Sequence, residues 1–391
     1  MKVIDLFTGA GGFSVGAHRF TDSVIGVELD ADAVATHRAA GVEVIHADVT
    51  TLDPYDFAAE EGEHLHLHAS PPCTTFSAAG TGKGRDVIDR LGVIIRDMIV
   101  DGEYDPELAE GIDATSLLVV EPARWIAALM PDSISFEQVR AVMPLWEIYE
   151  DYLSVIYDYS VWTAMLSAEQ YGVPQTRARA WLGASKEHAV TPPTPTHSKY
   201  HTRRPGQLDL GVLPWVPMSE ALGWEPMSQA GFLRRADNDD SVTIDGVGYR
   251  ARDIVDADHR PSLAVTEKIR SWTHYAPAGV GQKNHPANPR RLDEAPAPTV
   301  TGQSNHYLYH EDDFADGEQM VKRKDQTMAE ADHRHGKRAR KITVAEAAAL
   351  QGFPDGYPFQ GSKTSQYRQI GNAVPPPIAE AVLRSLLKEE T

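Results

Sequence analysis

Short apolar runs alternate with helix-patterned segments over roughly the first 190 residues, and this alternation restricts the fold more than any other feature of the chain. "KVIDLF" (2–7), "SVIGVEL" (23–29), "VEVIHAD" (42–48), "HLHLHAS" (64–70) and "SISFEQV" (133–139) have the length and composition of strands. Between them, "GFSVGAHRF" (12–20) and "DADAVATHRAAG" (30–41) have helical spacing, the second with a glycine stop at Gly41. "SLLVVEPARWIAALM" (116–130) reads as helical, with Pro122 marking a boundary or kink inside it. "LWEIYEDYLSVIYDY" (145–159) is an amphipathic helix, and "SVWTAMLSA" (160–168) and "RAWLGAS" (179–185) close the set as strands. Strand–helix alternation of this kind predicts an α/β fold with a mostly parallel sheet and helices on both faces.

The texture changes near residue 190. "TPPTPTHSKYHTRRPGQ" (191–207) is rich in Pro, Thr and basic residues, as in a linker or an exposed entry segment. Short strands and turns without strong periodicity follow, which predicts a smaller irregular domain over 191–335 after a first domain over 1–190. Order returns in 336–391, with a helix in "ITVAEAAALQGF" (342–353) and a proline-started helix in "AVPPPIAEAVLRSLLKEE" (373–390).

Composition narrows the functional classes. No apolar run approaches the ~18–20 residues that span a bilayer, and "MKVIDLF" lacks the architecture of a signal peptide, so a cytoplasmic protein without a membrane partner is expected. A single cysteine, Cys73, excludes an internal disulfide framework and any multi-cysteine metal site, and no metal is expected. The net charge of −19 argues against nucleic acid as a partner. Its distribution argues the other way. Arg203–Arg204, Arg234–Arg235, Arg290–Arg291, Lys322–Lys324 and "HRHGKRARK" (333–341) all lie in the second half, consistent with a basic face, whereas acid collects in "EYDPELAEGID" (103–113).

"DLFTGAGGFSVG" (5–16) carries a strand into a Gly-rich turn and then a helix, an arrangement that lets a ligand approach the backbone. Glu28 ends the second strand, with Asp30 just after, and suits the hydroxyls of a ribose. Asp48 ends the third strand and could accept from an adenine amino group. These features point to an adenosine-containing cofactor and leave a nicotinamide oxidoreductase and a methyltransferase equally open.

"SPPCTTFSAAG" (70–80) separates them. Two prolines stiffen the approach to Cys73 and place it on a loop at the carboxyl end of a strand, where open α/β sheets bind ligands. Here the chain resembles the cytosine carbon-5 methyltransferases over about residues 2–185 and 295–385. "DLFTGAGGFSVG" is similar to the family's cofactor loop and "SPPCTTFSAAG" to its Pro-Cys catalytic loop. "PDSISFEQVRAV" (131–142) is similar to its Glu-Asn-Val strand, and "YGVPQTRARAWLGA" (171–184) to its Gln-x-Arg-x-Arg segment. "LQGFPDGYPFQGSKTSQYRQIGNAVPPPIAEAV" (350–382) matches its C-terminal signature.

The resemblance implies a Rossmann-like methyltransferase sheet, an inserted target-recognition domain and S-adenosyl-L-methionine as cofactor. It places Phe7, Gly9, Gly11, Gly12, Glu28, Asp48, Pro72 and Asn372 around that cofactor. It also implies that 336–391 returns to complete the catalytic domain. Carbon-5 of cytosine is a poor nucleophile, and a thiolate adding to carbon-6 makes the ring an enamine that can take up a methyl group. By resemblance Cys73 is that nucleophile, and Glu137 is the acid at ring nitrogen 3. Arg177 and Arg179 match the family's arginines, with Arg179 the contact to the base carbonyl oxygen. Duplex DNA is the implied partner, with the target base flipped out. Glu121 rivals Glu137, but the helix-then-strand pattern favours Glu137 and leaves Glu121 to a helix salt bridge.

Three departures stand out. Gln138 replaces the family's Asn, Thr74–Thr75 follow the cysteine where Gln is frequent, and the stretch from Cys73 to Ser116 is long. The last suggests an acidic insertion on the catalytic loop within 84–113. A tRNA cytosine-5 methyltransferase and a catalytically silent DNA-binding relative are the alternative readings. An intact Cys73, Glu137 and Arg179 argue against the silent one. A nicotinamide oxidoreductase explains only the first motif. A monomer is expected, and a role in restriction-modification fits the family.

Overall fold

The computed structural model describes residues 1–72, 74–76, 82–201, 204, 206–223, 229–235, 242–244, 247–256, 261–263, 272–275 and 339–387. Its centre is a seven-stranded sheet. In chain order the strands are β1 (Lys2–Leu6), β2 (Val24–Glu28), β3 (Glu43–His46), β4 (Leu65–Ala69), β5 (Ser133–Gln138), β6 (Ser160–Ser167) and, after the short β7 (Gln175–Thr176), β8 (Ala178–Ser185). The spatial order is β3-β2-β1-β4-β5-β8-β6. β1 to β5 run parallel, and β8 is antiparallel to both β5 and β6. The order reverses at β1, which opens a crevice beyond the carboxyl ends of the strands.

Helices cover both faces. On one side lie α3 (Ile88–Asp101), α6 (Glu121–Leu129) and α7 (Met143–Tyr157), packed over Ile4, Leu67, Ile134 and Phe136. On the other side α1 (Gly12–Ala17) packs against the last helix, α11 (Pro376–Leu386), over Val3, Trp162 and Trp181. Because both faces are covered, β4 is buried along its whole length although "LHLHA" alternates apolar and polar residues. The buried histidines are tolerated because Ser133 and Ser135 of β5 lie opposite them and hydrogen-bond to their rings.

Several expectations are corrected in detail. Residues 116–130 do not form one helix. α5 (Ala114–Leu117) ends, a turn follows, and α6 starts at Glu121 with Pro122 in its first turn, where the missing N–H costs nothing. The 12–20 segment is helical only to Ala17. Within 84–113 a core part and an acidic part separate. α3 occupies its middle, and Leu91, Ile94, Ile95, Met98 and Ile99 are core residues packed against α6 and α7. Only its second half is the exposed acidic stretch, and there α4 (Pro106–Ala109) is the one further helix.

After β8, α8 (Met218–Leu222) precedes a five-stranded antiparallel sheet. In chain order its strands are β9 (Gln229–Arg235), β10 (Val242–Ile244), β11 (Val247–Asp256), β13 (Trp272–Tyr275) and β14 (Ala339–Lys341). Between β11 and β13, β12 (Ser262–Leu263) pairs with β7. The basic and polar clusters at 203, 281–291, 301–309 and 322–338 lie outside the described residues. The chain then returns to the first sheet through α9 (Val344–Gln351), α10 (Lys363–Asn372) and α11. α9 opens with a capping box in which Thr343 and Glu346 satisfy each other's end of the helix.

Candidate active site

A cavity of about 560 Å³ lies at the carboxyl ends of β1 to β5. The β1–α1 turn supplies Phe7, Thr8 and Gly9 to its wall; the end of β2 supplies Glu28, Leu29 and Asp30; the end of β3 supplies Asp48 and Val49. Pro71, Pro72 and Thr74 come from the loop after β4, Glu137 and Gln138 from β5, and Arg177 and Arg179 from the β7–β8 segment. The end of α10 completes it with Arg368, Gln369, Gly371 and Asn372.

The turn after β1 is held open by its backbone. Phe7 has φ +61° and Gly9 φ +57°, a left-handed conformation that costs a side-chain-bearing residue about 1–3 kcal/mol. The amide of Gly9 donates to Glu28 Oε2 at 2.8 Å, and Glu28 Oε1 accepts from the amides of Leu29 and Asp30 at 2.9 and 2.8 Å. Glu28 therefore locks two loops together and presents its carboxylate at the cavity wall. Asp48 accepts from the amide and hydroxyl of Thr50 at 3.0 and 2.8 Å, which fixes its carboxylate on the rim.

Of the expected cofactor residues, Phe7, Gly9, Glu28, Asp48, Pro72 and Asn372 line this cavity, whereas Gly11 and Gly12 do not. Those two glycines serve packing instead. A Cβ on Gly12 would stand 2.1 Å from the carbonyl oxygen of Val374, and one on Gly11 would crowd Tyr357 and His37. The Gly-rich motif thus divides into a half that lines the cavity and a half that admits the C-terminal segment.

Glu137 is 5 % exposed and sits between two arginines. Arg179 Nε lies 3.2 Å and Arg177 Nη2 3.7 Å from Glu137 Oε1, ion-pair contacts that lack hydrogen-bond geometry at that oxygen. Arg177, 2 % exposed, also donates through Nη1 to the carbonyl of Gly371 at 2.9 Å, so it ties β7–β8 to the end of α10. Arg179 is the more open of the pair and donates through Nη1 to its neighbour's carbonyl, Ala178. Glu121 starts α6 and pairs with Arg124 at 2.8 Å, away from the cavity.

Cys73 lies outside the described residues, but Pro72 and Thr74 on either side line the cavity. Gln138 answers the question its extra methylene raised. Its Nε2 donates to the carbonyl of Pro71, and its Oε1 accepts from the amide of Val139, so the longer amide still fastens the Pro-Cys loop to β5.

Two cavity residues, Leu29 and Arg368, and a pair of glutamines beside the cavity escaped the sequence reading. Leu29 is 63 % exposed although apolar, and a large apolar side chain left open at a cavity is the usual mark of a ligand-facing surface. Arg368 reaches across the rim to Asp30 at 2.6 Å. Gln175 donates to the carbonyl of Leu350 at 2.9 Å and to Gln351 Oε1 at 2.6 Å, and Gln351 donates to the carbonyl of Ala373. Their positions inside the Gln-x-Arg-x-Arg and C-terminal motifs were the only signal, and nothing in the motifs specified the contact.

The model of the C-5 cytosine-specific DNA methylase family matches residues 1–99 and 108–388. The chain belongs to that family. It is a DNA cytosine-5 methyltransferase, and the oxidoreductase reading falls away. Residues 100–107, at the end of α3 and the start of α4, are all that the family pattern skips before the C-terminus. Among its relatives, the type II methyltransferase M1.HphI of Haemophilus parahaemolyticus is 26% identical over 100% of this chain and 88% of its own. M.DdeI of Desulfomicrobium norvegicum is 27% identical over 98% of this chain and 87% of its own. Among solved structures, the Entamoeba histolytica methyltransferase EhMeth shares the fold with a TM-score of 0.52 at 15% identity, covering 98% of this chain and 97% of that one. Among the described residues, no group of three or more His, Cys, Asp or Glu side chains could hold a metal ion, and no helix is long and apolar enough to cross a membrane.

Proposed function

We propose that the cavity binds S-adenosyl-L-methionine and that the chain methylates carbon-5 of a cytosine flipped out of duplex DNA, through a covalent adduct between Cys73 and carbon-6. The observation that carries this reading is the convergence of Glu28, Asp48, Pro72, Glu137 and Arg179 on one cavity at the carboxyl ends of the sheet. The residues fit the cofactor. Its volume suits an adenosine-sized ligand. Glu28 and Asp48 offer acceptors for ribose hydroxyls and an adenine amine, and Leu29 and Val49 offer apolar surface for a base. When bound, the cofactor supplies an electrophilic methyl group.

The chain's own side chains do the rest. Glu137, held by two arginines, sits where it can hydrogen-bond or protonate ring nitrogen 3 and so favour addition at carbon-6. Arg179, less buried than Arg177, can reach the base carbonyl oxygen, while Arg177 keeps the C-terminal segment in place. Gln138 fixes the backbone that precedes the nucleophile. Residues 191–335 serve as target-recognition region, and 336–391 completes the catalytic domain. Its relatives' names associate them with type II modification, and we assign this chain the same protective methylation in restriction-modification.

Duplex DNA with 5-fluorocytosine at the target position tests the nucleophile, because fluorine cannot leave as a proton and the adduct stalls. A cofactor-dependent complex that resists denaturation, with the crosslink on the Cys73 peptide, is expected. A crosslink that persists in Cys73→Ala would refute the assignment.

A further inference from the structure

Asp5 lies wholly buried on β1, directly beneath the turn whose outer side forms the cavity wall. Its Oδ2 accepts from Thr8 Oγ1 at 2.6 Å and from Ser14 Oγ at 2.7 Å. Thr8 and Gly9 are wall residues, and Ser14 belongs to α1. One carboxyl oxygen therefore braces both ends of the turn from below, while Glu28 holds its middle from the side through the amide of Gly9. Asp5 touches no part of the cavity itself.

Among the described residues no cation neighbours Asp5. Glu28 faces it from the end of β2, His68 from β4 and Tyr357 from the C-terminal segment, while His37, on α2 (Ala31–Ala39), lies against Thr8 Oγ1. His68 is its register partner on β4, so the two side chains share a face of the sheet at one strand spacing. His68 is kept neutral by burial, and it ends a hydrogen-bonded chain. Its Nδ1 meets Ser135 Oγ at 2.8 Å, Ser135 meets His66 Nε2 at 2.9 Å, and His66 Nδ1 meets Ser133 Oγ at 2.8 Å. Ser133 in turn meets His64 Nε2 at 2.8 Å near the surface. Asp5 Oδ1 and His68 Nε2 are both buried without a hydrogen-bond partner. Burial pushes the Asp5 carboxyl up to about 7, and the nearby Glu28 adds to the rise, although the hydroxyls of Thr8 and Ser14 favour the ionised form.

We propose that Asp5 is a positioning residue for the cofactor turn, acting through Thr8 and Ser14, and that its ionised form holds the turn in the binding conformation. A hydroxyl donates more strongly to a carboxylate than to a carboxylic acid, so loss of the proton tightens both braces. This rests on the reading of the cavity as the S-adenosyl-L-methionine site.

Equilibrium binding of S-adenosyl-L-methionine by calorimetry tests it, with circular dichroism to establish folding. Wild-type affinity should rise a few-fold from about pH 6 to about pH 8, as Asp5 ionises. Asp5→Asn keeps the acceptor for both hydroxyls and should bind with affinity that is flat across that range. Asp5→Ala should weaken binding at about pH 8 by roughly tenfold, the worth of one charge-assisted hydrogen bond. If Asp5→Ala does not fold, Thr8→Val removes one brace with little change of shape and should weaken binding about threefold and blunt the pH dependence. An Asp5→Asn variant with the wild-type pH dependence, or folded Asp5→Ala or Thr8→Val variants with wild-type affinity, would overturn the proposal. If the wild type itself binds no S-adenosyl-L-methionine, the reading of the cavity fails and this inference falls with it.

Discussion

Glu137 combines burial, charge and two flanking arginines at the wall of the cavity. Glu137→Gln keeps the shape but removes the acid, and turnover should fall by about 10²–10⁴ while cofactor affinity stays near wild type; steady-state kinetics beside calorimetry checks this. That Glu137 sits on a strand and Glu121 at the start of a helix was legible in the sequence from the motif order. The role of Gln138 was not, because whether a longer amide still reaches Pro71 depends on the curvature of two chain segments 67 positions apart. Buried titratable groups also make a pH prediction. Burial pulls His37 down to about 4, His66 to about 3 and His68 well below its ordinary value. Their stability contribution is whole above the unfolded value near 6.5 and erodes as pH falls from there towards the folded values, by up to about 1.4 kcal/mol per pH unit each. Asp5 and Glu169, both pushed up to about 7 by burial, erode stability in the opposite direction as pH rises from about 4. Three histidines outweigh two acids, so the melting temperature should fall between about pH 6.5 and about pH 5. Asp5→Asn removes one opposing group, and its fall should be steeper; an equal slope would contradict the assignment.

Among the elements, α1 and α3 were read least well. The glycines after β1 looked alike in sequence, yet Gly9 faces the cavity while Gly12 and Gly16 let α1 lie against α11. A Cβ on Gly16 would stand 2.7 Å from both Ala379 Cβ and the carbonyl oxygen of Pro376. Gly16→Ala should therefore destabilise the protein by about 1–3 kcal/mol through overpacking, measurable by denaturant unfolding. α3 was hidden because acidic residues at both ends of 84–113 dominated its composition, whereas its apolar positions 91, 94, 95, 98 and 99 repeat with helical spacing. Ile95→Ala should cost about 2–5 kcal/mol, as for a core residue; a change near zero would contradict the placement of α3 in the core. The parallel strands were legible, since their apolar runs are short and bounded. The antiparallel placement of β8 between β5 and β6 was not, because strand periodicity carries no direction.

For the molecule as a whole, the C-terminal segment packs on the first sheet and lines its cavity although more than 150 residues separate it from β8. Gln175, Gln351 and Arg177 stitch it to the β7–β8 segment, and Arg368 pairs with Asp30 across the cavity rim. The exposed Arg368–Asp30 pair should contribute at most about 1 kcal/mol to stability. Motif order made this return legible, because the closing signature needs a partner motif at the start of the chain. The base sequence that a target-recognition region would read was not legible, since neither composition nor periodicity over 191–335 encodes base contacts. The net charge of −19 places the phosphate-binding contribution on local clusters, and DNA affinity should fall steeply with added salt. The central claim is that this chain methylates carbon-5 of cytosine in DNA with Cys73 as nucleophile. Bisulfite sequencing of duplex DNA incubated with the protein and S-adenosyl-L-methionine tests it most directly. Protected cytosines at one recurring sequence, lost in Cys73→Ser, are the predicted result. DNA that stays fully convertible, or protection that survives in Cys73→Ser, would contradict it.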